Sequence, residues 1–369
     1  MGLYESTVSY YLRPILHLLE DPKISEVLVN GPDDIYVEVR GRLQRAEGVH
    51  FSGLEELEAA CTNVAQYSNK IYDAEHPRFD GRLPDGSRVH VIGPPVAPFL
   101  AMAIRKFQTD SLGPKELVAL GSLSAEAMAL LRATIQMKRN LLVSGGTGSG
   151  KTTLLTVLAG YIPSAERIVV MEDTKELQID KPHVVQLEAR LADDKGRGEV
   201  TIRDLLHSTL RLRPDRIIVG EVRGGEALDL LNTLNSGHGG TMTTLHANSA
   251  MAALSKLETL VLFAGEDLPI RAIRGQVASA VDMVIQVSRF PDGSRRIEQI
   301  AEVFTGLDEN GNYRINTLFQ FEGQGMKNGE MLGAVMATGR LPSFYKAALG
   351  RGVKIDKRWF VPKKKAVIG

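Results

Sequence analysis

Apolar and polar positions change their period along the chain, and the change divides it. Over residues 5–20 the apolar positions Val8, Tyr11, Leu12, Ile15, Leu18 and Leu19 share one helical face. Pro14 inside that window predicts a kink or a late helix start. Residues 26–30 and 35–39 read as strands around Asn30-Gly31-Pro32-Asp33-Asp34, and a helix over roughly 53–67 follows. The runs 79–83 and 88–92 flank Pro84-Asp85-Gly86-Ser87, a hairpin signal, and a third apolar run spans 99–104. This predicts an α+β module without parallel βαβ alternation over residues 1–108. Turn formers then dominate, so residues 109–123 are expected to be a linker.

Beyond it the order becomes helix, strand, helix. A helix is expected over 124–137, then strands at Ile168-Val169-Val170-Met171 and Arg216-Ile217-Ile218-Val219-Gly220, apolar at nearly every position. Such strands are buried on both faces of a parallel sheet. Thr201 and Asp204 read as a capping box for a helix reaching about 212. A helix over 224–235, a strand at 241–245, helices at about 250–264 and 269–280 and strands at 281–287 and 296–303 complete an α/β domain over 124–321. Residues 322–369 are left as a C-terminal extension.

The run 141–153 carries the strongest chemical signal. An apolar strand enters Gly145-Gly146-Thr147-Gly148-Ser149-Gly150-Lys151-Thr152-Thr153 and a helical pattern follows. Gly145, Gly150, Lys151 and Thr152 fit G-x-x-x-x-G-K-[ST]. Glycines let backbone N–H groups curl around phosphate oxygens, and the helix start aims its positive end there. Lys151 suits β- and γ-phosphates, and the Thr152 hydroxyl suits Mg²⁺. The implication is a nucleoside triphosphate site binding ATP with Mg²⁺.

Ligands of parallel sheets sit at the carboxyl ends of strands, where Glu172, Glu221 and His246 also fall. Glu221 either positions an attacking water or caps the next helix. Glu172 and Asp173 either hold Mg²⁺ or form a solvated turn. Gly220 stands where a Walker-B aspartate is usual, so the metal is expected to rely on Thr152 and Glu172. His238 and His246 lack the partners a zinc site requires, which leaves hydrogen bonding near the phosphates or a structural role.

Composition changes the picture little. Lys+Arg and Asp+Glu are each 44, so bulk charge gives no sign of nucleic acid. The one cysteine, Cys61, excludes an intrachain disulfide and a cysteine-based zinc site. No apolar run reaches the length of a membrane span, and the start of the chain lacks a signal-peptide core. Lys363-Lys364-Lys365, after Lys354, Lys357 and Arg358, forms a basic tail that is either solvated or a contact for anionic lipid.

The phosphate-loop run, together with Met-Glu-Asp-Thr-Lys-Glu-Leu (171–177), residues 210–227 and Gly-His-Gly-Gly-Thr-Met-Thr-Thr-Leu-His-Ala-Asn (237–248), resembles the secretion ATPase superfamily. Those stretches look like its Walker A, Asp box, atypical Walker B and His box. Residues 82–89 and 103–107 look like its N-terminal domain. The resemblance implies that Arg88 and Arg105, with Arg213, approach the phosphates. Val-Arg-Gly-Gly-Glu-Ala (222–227) and the run 289–296 are most similar to CpaF, the tight-adherence (Tad) pilus ATPase. The resemblance further implies a RecA-like α/β domain behind a smaller α+β domain, a homo-hexamer and Mg-ATP hydrolysis. It also implies a cytoplasmic location at the inner membrane and a platform protein there as partner. A pilus motor is the expectation. A type IV secretion or conjugation ATPase is the alternative, and a ring translocase acting on nucleic acid is the reading from another class. No direct nucleic-acid contact is expected.

Overall fold

The computed structural model describes residues 3–39, 41–106, 112–190, 192 and 196–362. Phe107, the start of the expected linker, residues 193–195 and the Lys363-Lys364-Lys365 tail lie outside them. The chain divides into two compact units, Met1–Asp110 and Ser111–Gly369.

In the first unit α1 (Leu3–Tyr11) and α2 (Arg13–Glu20) break at Leu12, because Pro14 fits the first turn of a helix and not its interior. Strands β1 (Ile24–Asn30), β2 (Ile35–Val39) and β3 (Arg42–Arg45) precede α3 (Leu54–Tyr67). Then come β4 (Arg78–Arg82), β5 (Arg88–Ile92) and β6 (Ala101–Arg105). They form one antiparallel sheet in the order β3-β2-β1-β6-β5-β4. Strand β3 leaves no trace in the apolar pattern because all four of its residues are exposed. Helix α3 buries Leu57, Ala60, Cys61 and Val64 in the unit's core. Burial pushes the Cys61 thiol up to about 12, so it is inert.

The second unit opens inside the expected linker. Gly113-Pro114 starts a short helix, α4 (Pro114–Ala119), whose Leu117 enters the core. Its elements continue through α5 (Ala125–Gln136), β7 (Leu141–Gly145), α6 (Lys151–Ala159), β8 (Ile168–Glu172), β9 (Val184–Glu188), α7 (Ile202–Thr209) and β10 (Arg216–Val219). Next are α8 (Glu226–Asn235), β11 (Met242–Leu245), α9 (Ala250–Leu262), α10 (Ile270–Ala280), β12 (Met283–Arg289) and β13 (Arg295–Leu307). β14 (Tyr313–Lys327), β15 (Glu330–Ala337), α11 (Tyr345–Gly350) and a single 3-10 turn (Lys357–Phe360) end the series. The Thr201–Asp204 capping box is present.

Among the described residues these strands make one nine-stranded sheet, ordered β15-β14-β13-β12-β7-β11-β10-β8-β9. From β12 to β9 every pair is parallel, and β12 through β15 are antiparallel. Its central parallel strands β7, β8, β10 and β11 are buried on both faces. Val143, Val170 and Ile218 lie in one core with α5 and α6, whereas Leu142, Met171 and Val219 lie in the other with α7 to α10.

The expected boundary between 321 and 322 is corrected. Strand β14 runs through it unbroken, β15 extends the same sheet, and Phe344, Ala348 and Phe360 bury themselves beside α5. Sequence pattern does not reveal this extension, because an antiparallel ribbon with a largely exposed end lacks a continuous apolar run.

Candidate functional site

All five residues of β7 are buried, and the strand stops where the glycine-rich loop begins. Gly148 and Gly150 take φ of +67° and +95°, a region that disfavours side chains. The loop thus turns sharply enough for α6 to begin at Lys151. Ser149 Oγ donates to the Gly146 carbonyl at 2.9 Å and steadies the turn. Thr147 is exposed, while Thr152 and Thr153 are half-buried on the first turn of α6. Behind the loop the buried Gln286 accepts from Ser144 Oγ at 2.5 Å and donates to the Ala247 carbonyl at 3.1 Å. One side chain so ties β7, β12 and the end of β11.

Lys151 is 8% exposed, and its Nζ donates to the carbonyls of Gly145 (3.1 Å) and Gly146 (3.0 Å). It also stands 3.4 Å from His246 Nδ1. His246 Nε2 lies 3.2 Å from Glu221 Oε2, and Glu221 Oε1 accepts from Arg223 Nε at 2.7 Å. A continuous polar chain therefore runs Lys151–His246–Glu221–Arg223 across the ends of β7, β11 and β10. Glu221 does not cap the next helix: α8 has no side-chain N-cap bond, and its first residue, Glu226, accepts from the N–H groups of Arg223 and Gly224 in the preceding turn at 2.7 and 2.8 Å.

Burial and the Lys151 ammonium lower the His246 pKa against the opposing pull of Glu221. Neutral imidazole accepts at Nδ1 from Lys151 and donates at Nε2 to Glu221, which fixes the tautomer. Because the folded pKa lies below the ordinary 6.5, an unfolded chain takes the proton first as pH falls. Acid thus disfavours the folded form and removes the acceptor for Lys151. The acid limb of kcat/KM is expected below pH 6.5 and should move in His246→Gln; an unchanged limb in that variant would assign it to another group.

Glu172 ends β8, is 4% exposed, and accepts at Oε1 from the backbone N–H groups of Glu176 (2.9 Å) and Leu177 (3.0 Å). Gly220 explains the missing aspartate: a Cβ there would sit 2.8 Å from Glu172 Cγ. The Glu172 side chain thus takes the space beside β10. It also shapes the turn that carries Glu176, whose Oε2 accepts from Thr152 Oγ1 at 3.3 Å. Glu176 is absent from the residues that sequence pattern singles out. Its one signal there is an acid four residues beyond a strand-end acid.

Two expected site residues are not brought to the loop of their own chain. His238 precedes β11, where its carbonyl accepts from Thr241 Oγ1 and Gly240 N–H donates to Asn140 just before β7. Arg213 precedes β10, exposed, with φ of +53°. Both lie at the amino ends of parallel strands, about 13 Å of strand away from the phosphate loop. The glycines around His238 serve packing: a Cβ on Gly240 would collide with the buried Arg216, and one on Gly239 would sit 3.0 Å from the Lys138 carbonyl. In the first unit, Arg82, Arg88 and Arg105 are direct cross-strand neighbours on β4, β5 and β6, and Glu26 continues the row. Like charges placed so repel.

A phosphate loop between buried parallel strands, faced by a carboxylate and a histidine from neighbouring strand ends, defines a P-loop nucleoside triphosphatase. The chain belongs to the family described as "Type II/IV secretion system protein", which matches residues 10–315, and it is an ATP hydrolase of the secretion-system class. It is 37% identical over 293 residues to a putative conjugal transfer protein of Mycobacterium tuberculosis, covering 77% of this chain and 82% of that one. It is 33% identical over 329 residues to the type IV secretion system protein VirB11 of Brucella suis, covering 81% and 90%. The ATPase DotB of Legionella pneumophila shares the fold, with a TM-score of 0.56 at 20% identity over 78% of this chain and 79% of that one. These relatives support the secretion ATPase class and correct the CpaF expectation, since they are conjugal-transfer and VirB11 proteins. Among the described residues no helix is long and apolar enough to cross a membrane.

Proposed function

We propose that this protein is the Mg-ATP-driven motor of a conjugation or type IV secretion system, working as a homo-hexamer on the cytoplasmic side of the inner membrane against a membrane component of the machine. The observation that carries the choice of machine is the 37% identity to a putative conjugal transfer protein. The pilus reading rests on the 222–227 and 289–296 runs alone and takes second place.

The Lys151–His246–Glu221 chain supports hydrolysis. Lys151 exchanges loop carbonyls for β- and γ-phosphate oxygens, the stronger acceptors for an ammonium. Glu221 orients a water and receives its proton, with Arg223 and His246 fixing both carboxylate oxygens. Thr152 and Glu176 place a hydroxyl and a carboxylate together, a donor pair that fits Mg²⁺, which keeps several waters and needs few protein oxygens. Bound there, Mg²⁺ neutralises charge on the β- and γ-phosphates. Glu172 positions the turn bearing Glu176. Arg88 and Arg105 add guanidinium groups to the transferring phosphoryl group. That a ring of such subunits converts turnover into movement is part of the same proposal.

Complementation separates the readings. In cells lacking the protein, wild type should restore conjugal DNA transfer or effector export, and Lys151→Ala should not, with its Tm unchanged and ATP binding lost. Restored surface filaments with normal transfer would transfer the assignment to the pilus reading. Wild-type turnover in Lys151→Ala would remove the phosphate-loop mechanism altogether.

A further inference from the structure

The turn between β12 and β13 is absorbed by none of the roles above, yet it stands against the phosphate loop. β12 is the parallel neighbour of β7, with Val287 opposite Gly145, so the turn beyond Arg289 projects past the end of β7 where the loop begins. Arg289 and Arg295 face each other as its closing pair. Arg295 Nε donates to the Gly148 carbonyl at 2.8 Å. Its Cδ lies 3.4 Å from where a Cβ on Gly150 would be, and Arg289 Nη1 lies 3.5 Å from the corresponding point on Gly148. Both arginine side chains therefore lie within van der Waals range of the loop backbone at Gly148 and Gly150.

The turn is itself braced from the other side. Asp292 Oδ1 accepts from Ser294 N–H (2.9 Å) and Ser294 Oγ (2.6 Å), and Asp292 Oδ2 accepts from Met331 N–H at 2.8 Å. Arg296 donates from Nη1 to the Gly333 carbonyl (2.9 Å) and from Nη2 to the Met331 carbonyl (2.7 Å). Its guanidinium also covers Phe321, 5.4 Å from the ring centre, and that ring packs on Phe290 at 4.8 Å. Adjacent arginines thus do different work: Arg296 anchors the turn to β14 and β15, and Arg295 reaches the loop.

We propose that Arg295 is a positioning residue for the phosphate loop, and that the C-terminal β14–β15 ribbon sets the loop's readiness for nucleotide through the 290–296 turn. In a trans peptide the C=O and the following N–H point in opposite directions. Holding the Gly148 carbonyl toward Arg295 therefore turns the Ser149 N–H away from it, toward the Gly146 carbonyl, which it meets at a long 3.4 Å. A bond that long yields readily to a phosphate oxygen. The arginine so fixes in advance one of the N–H groups the loop offers, and leaves Lys151 and Glu221 free for their own roles. This inference rests on the ATPase reading of the site.

The test uses the full-length protein with ADP as the probe, alongside Lys151→Ala. Arg295→Ala is expected to raise the ADP Kd and the ATP KM about tenfold, as loss of one charge-assisted hydrogen bond does, with kcat changed less than threefold and Tm unchanged. Amide hydrogen exchange over residues 146–150 should quicken, and Arg295→Lys, which keeps a charged donor, should recover most of the affinity. An unchanged Kd and unchanged exchange in Arg295→Ala, with Lys151→Ala still defective, would overturn the brace and leave the ATPase standing. If wild type itself binds no ADP, the ATPase reading fails and the brace with it. A fall in kcat and Tm together without a change in KM would make Arg295 a stability residue and also overturn the proposal.

Discussion

Glu221→Gln is expected to lower kcat by about a hundredfold to ten-thousandfold, the range for removing a general base, while ATP still binds. The amide keeps the shape of the carboxylate, and its oxygen still accepts from Arg223 Nε, 2.7 Å away in the native protein. What it cannot do is take a proton from water. The phosphate loop is untouched, so the Kd for ATP stays within about twofold, because no phosphate contact is lost. Steady-state turnover and nucleotide titration on the same preparation make the comparison. Normal hydrolysis in this variant would reduce Glu221 to a tether for Arg223 and His246.

The second large effect belongs to the first unit. Arg88→Ala and Arg105→Ala are each expected to reduce kcat by about a thousandfold or more, the worth of an arginine that meets a transferring phosphoryl group. The structural contribution of Arg105 is small. Arg105 is half exposed and sits 3.9 Å from Glu26, a surface pair worth under about 1 kcal/mol. Removing one of three neighbouring guanidiniums also relieves repulsion along the Arg82–Arg88–Arg105 row. In Arg105→Ala the Tm should therefore hold or rise while turnover collapses. Unchanged kcat in both variants would confine the chemistry to the second unit and remove the proposed role of Arg88 and Arg105.

The readable and unreadable parts of this chain separate by range. Strand β7, the loop, Lys151 and Thr152 form a contiguous run whose spacing is imposed by one phosphate group, so the sequence alone determined the nucleotide site. The doubly buried strands β8 and β10 are equally legible, because burial on both faces leaves an uninterrupted apolar run. Glu221 and His246 follow from their places at strand ends. Strand β9 is hidden because it is half-buried, and the β14–β15 ribbon because its outer half is exposed.

Tertiary structure decided what pairs of distant residues do. Glu226, not Glu221, braces the turn before α8; Glu176 meets Thr152; Glu172 fills the space that Gly220 leaves. His238 and His246 share one motif eight residues apart, yet β11 carries them to opposite ends of its length. Arg295 reaches Gly148 across 147 residues of sequence. Local pattern encodes period and turn chemistry within a few residues. Which side chain completes a hydrogen bond depends on strand order and register, which are settled when the whole sheet packs.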